Sequence, residues 1–290
     1  LKVILMQSSY TDAPCRTSWG KSDRQGLDIH HLAHHSADVA AVFSCLLEVP
    51  AWRQRAEAAL AQTISPQQIK CLSALVFLHD IGKLAPGFQA KAWPPGHGLR
   101  ELGHLQAGWY WSNLVRPDAL AGAVAYLATW HGIDEWLAAL FAHHGRPVPI
   151  PKEGEAGKAF TLLPFYDWQK EETVLGRALL DWFPDIATSA PPHPKPAFIH
   201  FFCGLLTLAD WVASDRRAFP FEAAFRADYW QTALQRAASR IAEIGLTQSA
   251  PLRARAGWQV ISDHPAPRPA QAAVGRVPTT ERLVLLEAET

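Results

Sequence analysis

Residues 72–84 read LSALVFLHDIGKL. Leu72, Leu75, Val76 and His79 recur at the spacing of one helical face, and Gly82 followed by Pro86 marks where that helix stops. The stretch builds a core and then interrupts it with His79 and Asp80 side by side, followed by Gly82 and Lys83. Buried charge is costly unless it is paired or coordinated. The pair therefore needs a partner that apolar packing does not supply.

The same pattern continues outward. Val39, Val42, Phe43, Leu46 and Leu47 predict an amphipathic helix from about residue 32, with His34 and His35 at its start and Asp38 one turn on. Further helices are predicted near 103–114, 118–130, 134–144, 171–183, 197–214 and 221–244. His143 and His144 end the one that contains WLAALFA, before the stop signal of Gly145 and Pro147. Asp210 interrupts LLTLADWV at i+4 from Leu206. His97 and His104 flank a short loop. Residues 1–29 read as irregular, and strand patterning is almost absent before residue 256. The fold class expected is all-α, a helical bundle.

Composition narrows the classes. The chain has 290 residues, 49% apolar and 19% charged, so it has the material for a sizeable core. Lys+Arg and Asp+Glu both number 27. Zero net charge argues against electrostatic coating of nucleic acid over the whole surface, though not against a local basic groove. Cys15, Cys45, Cys71 and Cys203 lie far apart with no C-x-x-C pair, as expected of reduced thiols in a cytoplasmic protein. The apolar run ALAGAVAYLATW at 119–130 is too short to span a bilayer and no signal-peptide pattern precedes it, so no membrane partner is expected. Residues 246–282 carry prolines at 251, 265, 267, 269 and 278 and read as a linker. Within and beyond it, WQVIS (258–262) and RLVLLEA (282–288) have the character of short strands. Both ends read as cut: the chain starts at Leu1, its one methionine is Met6, and it stops directly after a strand-like run.

Thirteen histidines ask for chemistry. Neutral imidazole together with carboxylate suits Mn, Fe, Co, Ni or Zn. Neighbours on a helix point about 100° apart, so His79 and Asp80 would serve adjacent ions, or one would bridge. A carboxylate bridges well, which makes Asp80 the candidate bridge and His79 a terminal ligand. Two ions about 3.5–4 Å apart activate a water and stabilise both the attacking and the leaving oxygen of a phosphodiester. Lys83, at i+3 from Asp80, either reaches a substrate phosphate from the same face or is an ordinary surface lysine. Asp38 is either part of the site or a capping carboxylate, and His30 and His31 are helix-opening residues or ligands. Trp19, Trp93, Trp109 and Trp130 are candidates for stacking on bases, with core packing as the plainer role.

At this level the residues resemble the HD superfamily of metal-dependent phosphohydrolases. SWGKS (18–22), HHLAHHSADVAAV (30–42), LHDIGKLAPGFQ (78–89), AHHGRP (142–147) and LADWVASD (208–215) run in the order of the HD nuclease domain of the CRISPR-associated helicase-nuclease. The resemblance covers about residues 10–245 and implies an HD nuclease domain at 1–245. Residues 246–290 would then be a linker and the truncated start of a helicase domain. Because RLVLLEAET resembles the strand before a helicase's Walker A loop, no ATP site is expected in this stretch of chain. The metal ligands implied are His35, His79, Asp80 and Asp210 for one ion, and Asp80, His104, His143 and His144 for the other. With Lys83 taken from its spacing to Asp80, the catalytic residues expected are Asp80 and Lys83. His104 stands in LGHLQ where the family has Arg-His-Glu, which leaves His97 as its rival.

The activity implied is metal-dependent hydrolysis of single-stranded DNA, endo- or exonucleolytic, in type I CRISPR interference, with a water activated by two divalent ions (Mn, Fe, Co or Ni, with Mg also admissible). Its partners would be single-stranded DNA, the helicase domain of the full-length chain and the guide-RNA surveillance complex Cascade. Two alternatives remain open at this point: a phosphohydrolase of nucleotides or cyclic nucleotides, and a non-catalytic recruitment module.

Overall fold

The computed structural model describes residues 16–247 except 24, 25, 27, 95–97 and 150–155, and further on 258, 264–274 and 276. The chain divides into two compact units, 1–247 and 248–290. In the second, the described helix is Pro269–Val274, and the indole N–H of Trp258 donates to the carbonyl of His264 at 2.8 Å. RLVLLEA lies outside the described residues, as does all of WQVIS but Trp258.

The first unit is a helical bundle built around α1 (Leu32–Glu48). Fourteen of its 17 residues are buried, so it is covered nearly all round, the signature of a central helix and not of a surface one. Pro50 at the first position of α2 (Pro50–Leu60) turns the chain after Val49. α2 is a helix that apolar periodicity does not reveal, because only Ala56 and Leu60 of it are buried. α3 (Pro66–Phe77) begins with a capping box in which Ser65 and Gln68 satisfy each other's backbone N–H groups at 3.1 and 3.0 Å. Such a cap contributes about 1 kcal/mol.

Beyond α3 the chain tightens into a 3-10 turn, Ile81–Leu84, and the short α4 (Pro86–Gln89). α5 (His104–Ser112) follows. The single helix expected at 118–130 is instead a 3-10 turn, Ala119–Gly122, and a short α6 (Val124–Leu127), because Leu120 and Ala121 have φ of 50° and 53°. Gly176, on a later helix, packs directly against the Leu120 backbone. α7 (Ile133–Leu140), α8 (Ala156–Ala159), α9 (Trp168–Trp182), α10 (Pro196–Ala213) and α11 (Tyr229–Glu243) complete the bundle. α10 and α11 both pack on α1, as does α3. By length and composition α10 is apolar enough to cross a membrane, but it packs on α1, α2 and α7 and carries Asp210.

Residues 1–29 are not wholly irregular. β1 (Trp19–Ser22) pairs antiparallel with β2 (Ile29–His31), and a bulge lies between Trp19 and Lys21. Strands this short leave no alternation to read in the sequence. β2 runs straight into α1, whose N-cap is His31: its Nδ1 accepts from the backbone N–H of Ala33 at 3.1 Å.

Candidate metal centre

His79 and Asp80 do not sit on α3. The helix ends at Phe77, and the following amides bond three residues back: His79 to Val76, Ile81 to Leu78 and Lys83 to Asp80, at 2.8–3.0 Å. This tighter winding changes the direction of the pair, and Asp80 takes φ −105° and ψ 17°, the bridge region frequented by active-site residues. Instead of diverging, the two side chains converge, with His79 Nε2 3.1 Å from Asp80 Oδ2.

Other elements aim at the same carboxylate. His35, from the first turn of α1, places Nε2 3.1 Å from Asp80 Oδ2 and 3.5 Å from Asp210 Oδ1. His104, the first residue of α5, reaches the other oxygen, with Nε2 3.4 Å from Asp80 Oδ1. Gly82 explains why α5 comes so close: a β-carbon there would lie 2.0 Å from the carbonyl oxygen of His104 and 2.3 Å from the amide of Gly108. His143 and His144 follow α7 in a turn, not on the helix as expected. Donor atoms of three overlapping groups lie within 4.8 Å of one another: His35, His79 and Asp80; His79, His143 and Asp210; His104, His143 and His144.

The ring nitrogens are assigned by their partners. His79 Nδ1 donates to the carbonyl of Val76 at 2.9 Å, and His143 Nδ1 to that of Leu140 at 2.7 Å. Their Nε2 atoms are therefore bare lone pairs. Nε2 of His35, His79, His104 and His143 and Oδ1 of Asp80 are all buried without a hydrogen-bond partner. An unpartnered buried polar atom costs about 1–3 kcal/mol, and here several of them converge on one point. A divalent ion satisfies that donor set, and imidazole with carboxylate suits Mn, Fe, Co or Ni.

Electrostatics keep the ligands in their binding forms. Burial pushes His35 and His143 down to about 4 and His104 down to about 3, with Lys21 and Lys83 adding to the shift at His35. For Asp80, burial opposes ionisation, but His79, Lys83 and His104 outweigh it and hold the carboxyl well below the usual range. Asp210 is likewise held low, against burial, by His35 beside it and by the charge of Lys21.

Lys83 is not a surface lysine. It is buried, with Nζ 2.5 Å from Asp80 Oδ2 and donating to the carbonyl of Gly20 at 2.6 Å. β1 closes over it. Gln89, fully buried, accepts from the Trp19 amide at 3.0 Å and donates to the carbonyls of Trp19 and Lys83 at 3.0 and 2.7 Å. Gly20 packs against His35, where a β-carbon would lie 2.7 Å from the histidine's own. From α10, Thr207 Oγ1 approaches the carbonyl of His143 at 2.5 Å, and Ser214 Oγ approaches Asp210 Oδ1 at 3.3 Å. Sequence reasoning missed Gln89, Thr207 and Lys21 as contributors. The signal at hand was SWGKS itself, which matters as backbone cover as much as side chain.

The remaining histidines of the α1 region belong to a separate group. His30 Nε2 lies 2.8 Å from Asp38 Oδ2, and Tyr229 donates to both Asp38 oxygens at 3.1 and 3.3 Å. The amides of Glu222 and Arg226 donate to His30 Nδ1 and His34 Nε2, both at 3.0 Å. Asp38 is thus neither a cap nor grouped with the Asp80 donors. His97 lies outside the described residues. Trp19, Trp93 and Trp130 are buried and Trp109 packs on the core, while Trp211, beside Asp210, is 73% exposed.

The chain is similar to known proteins of one family. The family model described as "Cas3, HD domain" matches residues 19–219. The CRISPR-associated endonuclease/helicase Cas3 of Thermus thermophilus is 28% identical over 277 residues, covering 88% of this chain and 28% of that protein. Its Escherichia coli counterpart is 27% identical over 311 residues, covering 94% of this chain and 34% of its own length. The crystal structure of T. fusca Cas3 with ATP superposes with a TM-score of 0.60 at 25% identity, over 81% of this chain and 28% of that one. The chain thus spans about a third or less of the length of these relatives.

Proposed function

The chain belongs to the Cas3 HD domain family, and from that premise we propose that it is a metal-dependent nuclease domain that hydrolyses single-stranded DNA. One observation carries the reading: three buried imidazole nitrogens without hydrogen-bond partners, from His35, His79 and His104, face the two oxygens of one carboxylate, Asp80, and a fourth, from His143, lies beside them. The two oxygens face different histidines, Oδ2 toward His35 and His79 and Oδ1 toward His104. That division favours two ions with Asp80 between them. His35, His79 and Asp210 would complete one position, and His104, His143 and His144 the other.

Bound there, divalent ions lower the pKa of water and neutralise charge on a phosphodiester in the transition state. The protein's own residues do the rest. His79 and His143 present fixed lone pairs because backbone carbonyls hold their Nδ1 protons. Lys83 orients Asp80 and ties it to β1, a positioning role in place of direct phosphate contact. The exposed His144 lies where the cluster meets solvent, which suits a polymer strand passing over it. In the full-length protein a helicase domain would deliver the strand, and the surveillance complex Cascade would recruit the enzyme in the cytoplasm.

The test is incubation of the protein with circular single-stranded DNA and Mn, Co, Ni or Mg, beside Asp80→Ala. Linearised and shortened DNA with the parent protein alone is expected. A folded, metal-loaded protein that cuts with none of these ions contradicts the reading.

A further inference from the structure

Lys83 is committed: it is buried, paired with Asp80 and bonded to the Gly20 carbonyl. A phosphodiester arriving at the centre still brings a negative charge that needs a donor outside the ligand set. Lys21 has the placement for it. The bulge between Trp19 and Lys21 re-aims the side chain that follows it, and Gly20 is held against His35 with no room for a β-carbon. The result is that Lys21 Nζ stands 3.4 Å from Asp210 Oδ1, while 29% of its side chain remains exposed. The lysine touches the cluster and solvent at once, as a substrate-binding cation must.

Its partner is a shared one. Asp210 Oδ1 also faces His35 Nε2 at 3.5 Å and Ser214 Oγ at 3.3 Å. An ion held at the centre would draw the Asp210 charge and so weaken its hold on the Lys21 ammonium. The backbone that carries it is already fixed in the strand, which is itself clamped by Gln89 at Trp19, so little main-chain freedom is lost when the ammonium turns to a new acceptor.

Resting on the nuclease reading above, we propose that Lys21 is a substrate-binding residue that contacts a non-bridging oxygen of the phosphodiester at the metal centre. A lysine ammonium contacts such an oxygen as a point charge with three rotatable donors. The family resemblance places SWGKS among its motifs, but the role follows from the bulge, the exposure and the shared carboxylate.

The experiment compares the parent protein with Lys21→Gln and Lys21→Arg, each loaded with Mn. Metal affinity is measured by calorimetry. Turnover is measured on circular single-stranded DNA and on bis(p-nitrophenyl) phosphate, and oligothymidylate binding is followed against salt. For Lys21→Gln we expect metal affinity within about threefold of the parent, cleavage of both substrates down by ~30-fold or more, and a salt slope shallower by about 0.7, the value for one lost contact on a single strand. Lys21→Arg should recover part of the rate and all of the slope. Unchanged cleavage by Lys21→Gln overturns the proposal alone, as does a loss that disappears at saturating Mn, which would make Lys21 merely a support for Asp210. A parent protein that cleaves neither substrate overturns the nuclease reading and this role with it.

Discussion

His34 and His35 are adjacent on α1, and both are fully buried, yet they belong to clusters that handle their polar atoms in opposite ways. On one side, His30, His34, Asp38 and Tyr229 form a group held by protein donors: Asp38 receives Tyr229 and His30, and backbone amides of Glu222 and Arg226 reach the two imidazoles, so that His34 Nδ1 is the one ring nitrogen of the two left unpartnered. Arg236 then links Tyr229 to Glu222, with contacts of 2.9 Å to each. On the other side, His35, His79, His104 and His143 leave Nε2 without a protein partner. Composition is nearly the same in the two places, so residue type does not separate structure from function. What separates them is where the unpartnered atoms lie: in the second cluster several Nε2 atoms converge around a carboxylate, whereas His34 Nδ1 is a lone exception in a group that protein donors otherwise satisfy.

The comparison can be broken first at its carboxylates. Asp80→Asn should reduce cleavage by at least ~10³-fold and abolish metal binding, whereas Asp38→Asn should leave the metal affinity of the folded protein intact. Asp38→Ala, which strips His30 and Tyr229 of their acceptor, is expected to cost about 3–5 kcal/mol of stability, the range for breaking a buried pair. Calorimetry with and without metal reads both. Equal loss of metal by the Asp38 and Asp80 variants would erase the distinction.

Metal itself sharpens the contrast. An ion at one hundred times its dissociation constant stabilises the folded state by about 2.7 kcal/mol, and a chelator removes that gain. His79→Ala should lose the metal-dependent rise in melting temperature, while Tyr229→Phe should start lower and keep the rise. A Tyr229→Phe protein whose melting point no longer responds to metal would contradict the separation.

Acid provides a third test. Burial depresses His30 and His34 to about 4 and His31 to about 3, from 6.5. Below 6.5 the unfolded chain binds more protons than the folded one, so this stability is present above pH 6.5 and is lost as pH falls toward 4. Metal-free protein should therefore show a falling denaturant midpoint from pH 6.5 to 4, and His30→Gln should flatten part of that slope. A midpoint independent of pH over that window would show that these imidazoles are not held neutral by burial. The smallest effect is expected at Thr207→Val, which releases the His143 carbonyl and should weaken metal binding about 10-fold, within the range for groups that orient metal ligands. Thr207→Ser should restore it.

Much of this was legible in the sequence, for identifiable reasons. α1, α3 and α10 carry strong apolar periodicity, and polar residues inside such runs mark His35, Asp80 and Asp210 as exceptions that demand a partner. The expected direction of Asp80 was wrong because periodicity does not register that α3 stops at Phe77 and tightens. Likewise Lys83 reads as exposed until β1 is seen to close over it. The His30–Asp38–Tyr229 network was invisible because its members are joined across 191 positions, and nothing local in FEAAFRADYW announces that partnership. Gly82 reads as a helix stop, whereas its missing side chain is what lets α5 bring His104 to Asp80.

The most direct test of the central claim is an anomalous difference map from crystals soaked in Mn, collected near its absorption edge. The expected result is density bounded by His35, His79, Asp80 and Asp210, and a second peak bounded by Asp80, His104, His143 and His144. Density among His30, His34 and Asp38, or none around Asp80 in a protein that calorimetry shows to be metal-loaded, would contradict the account.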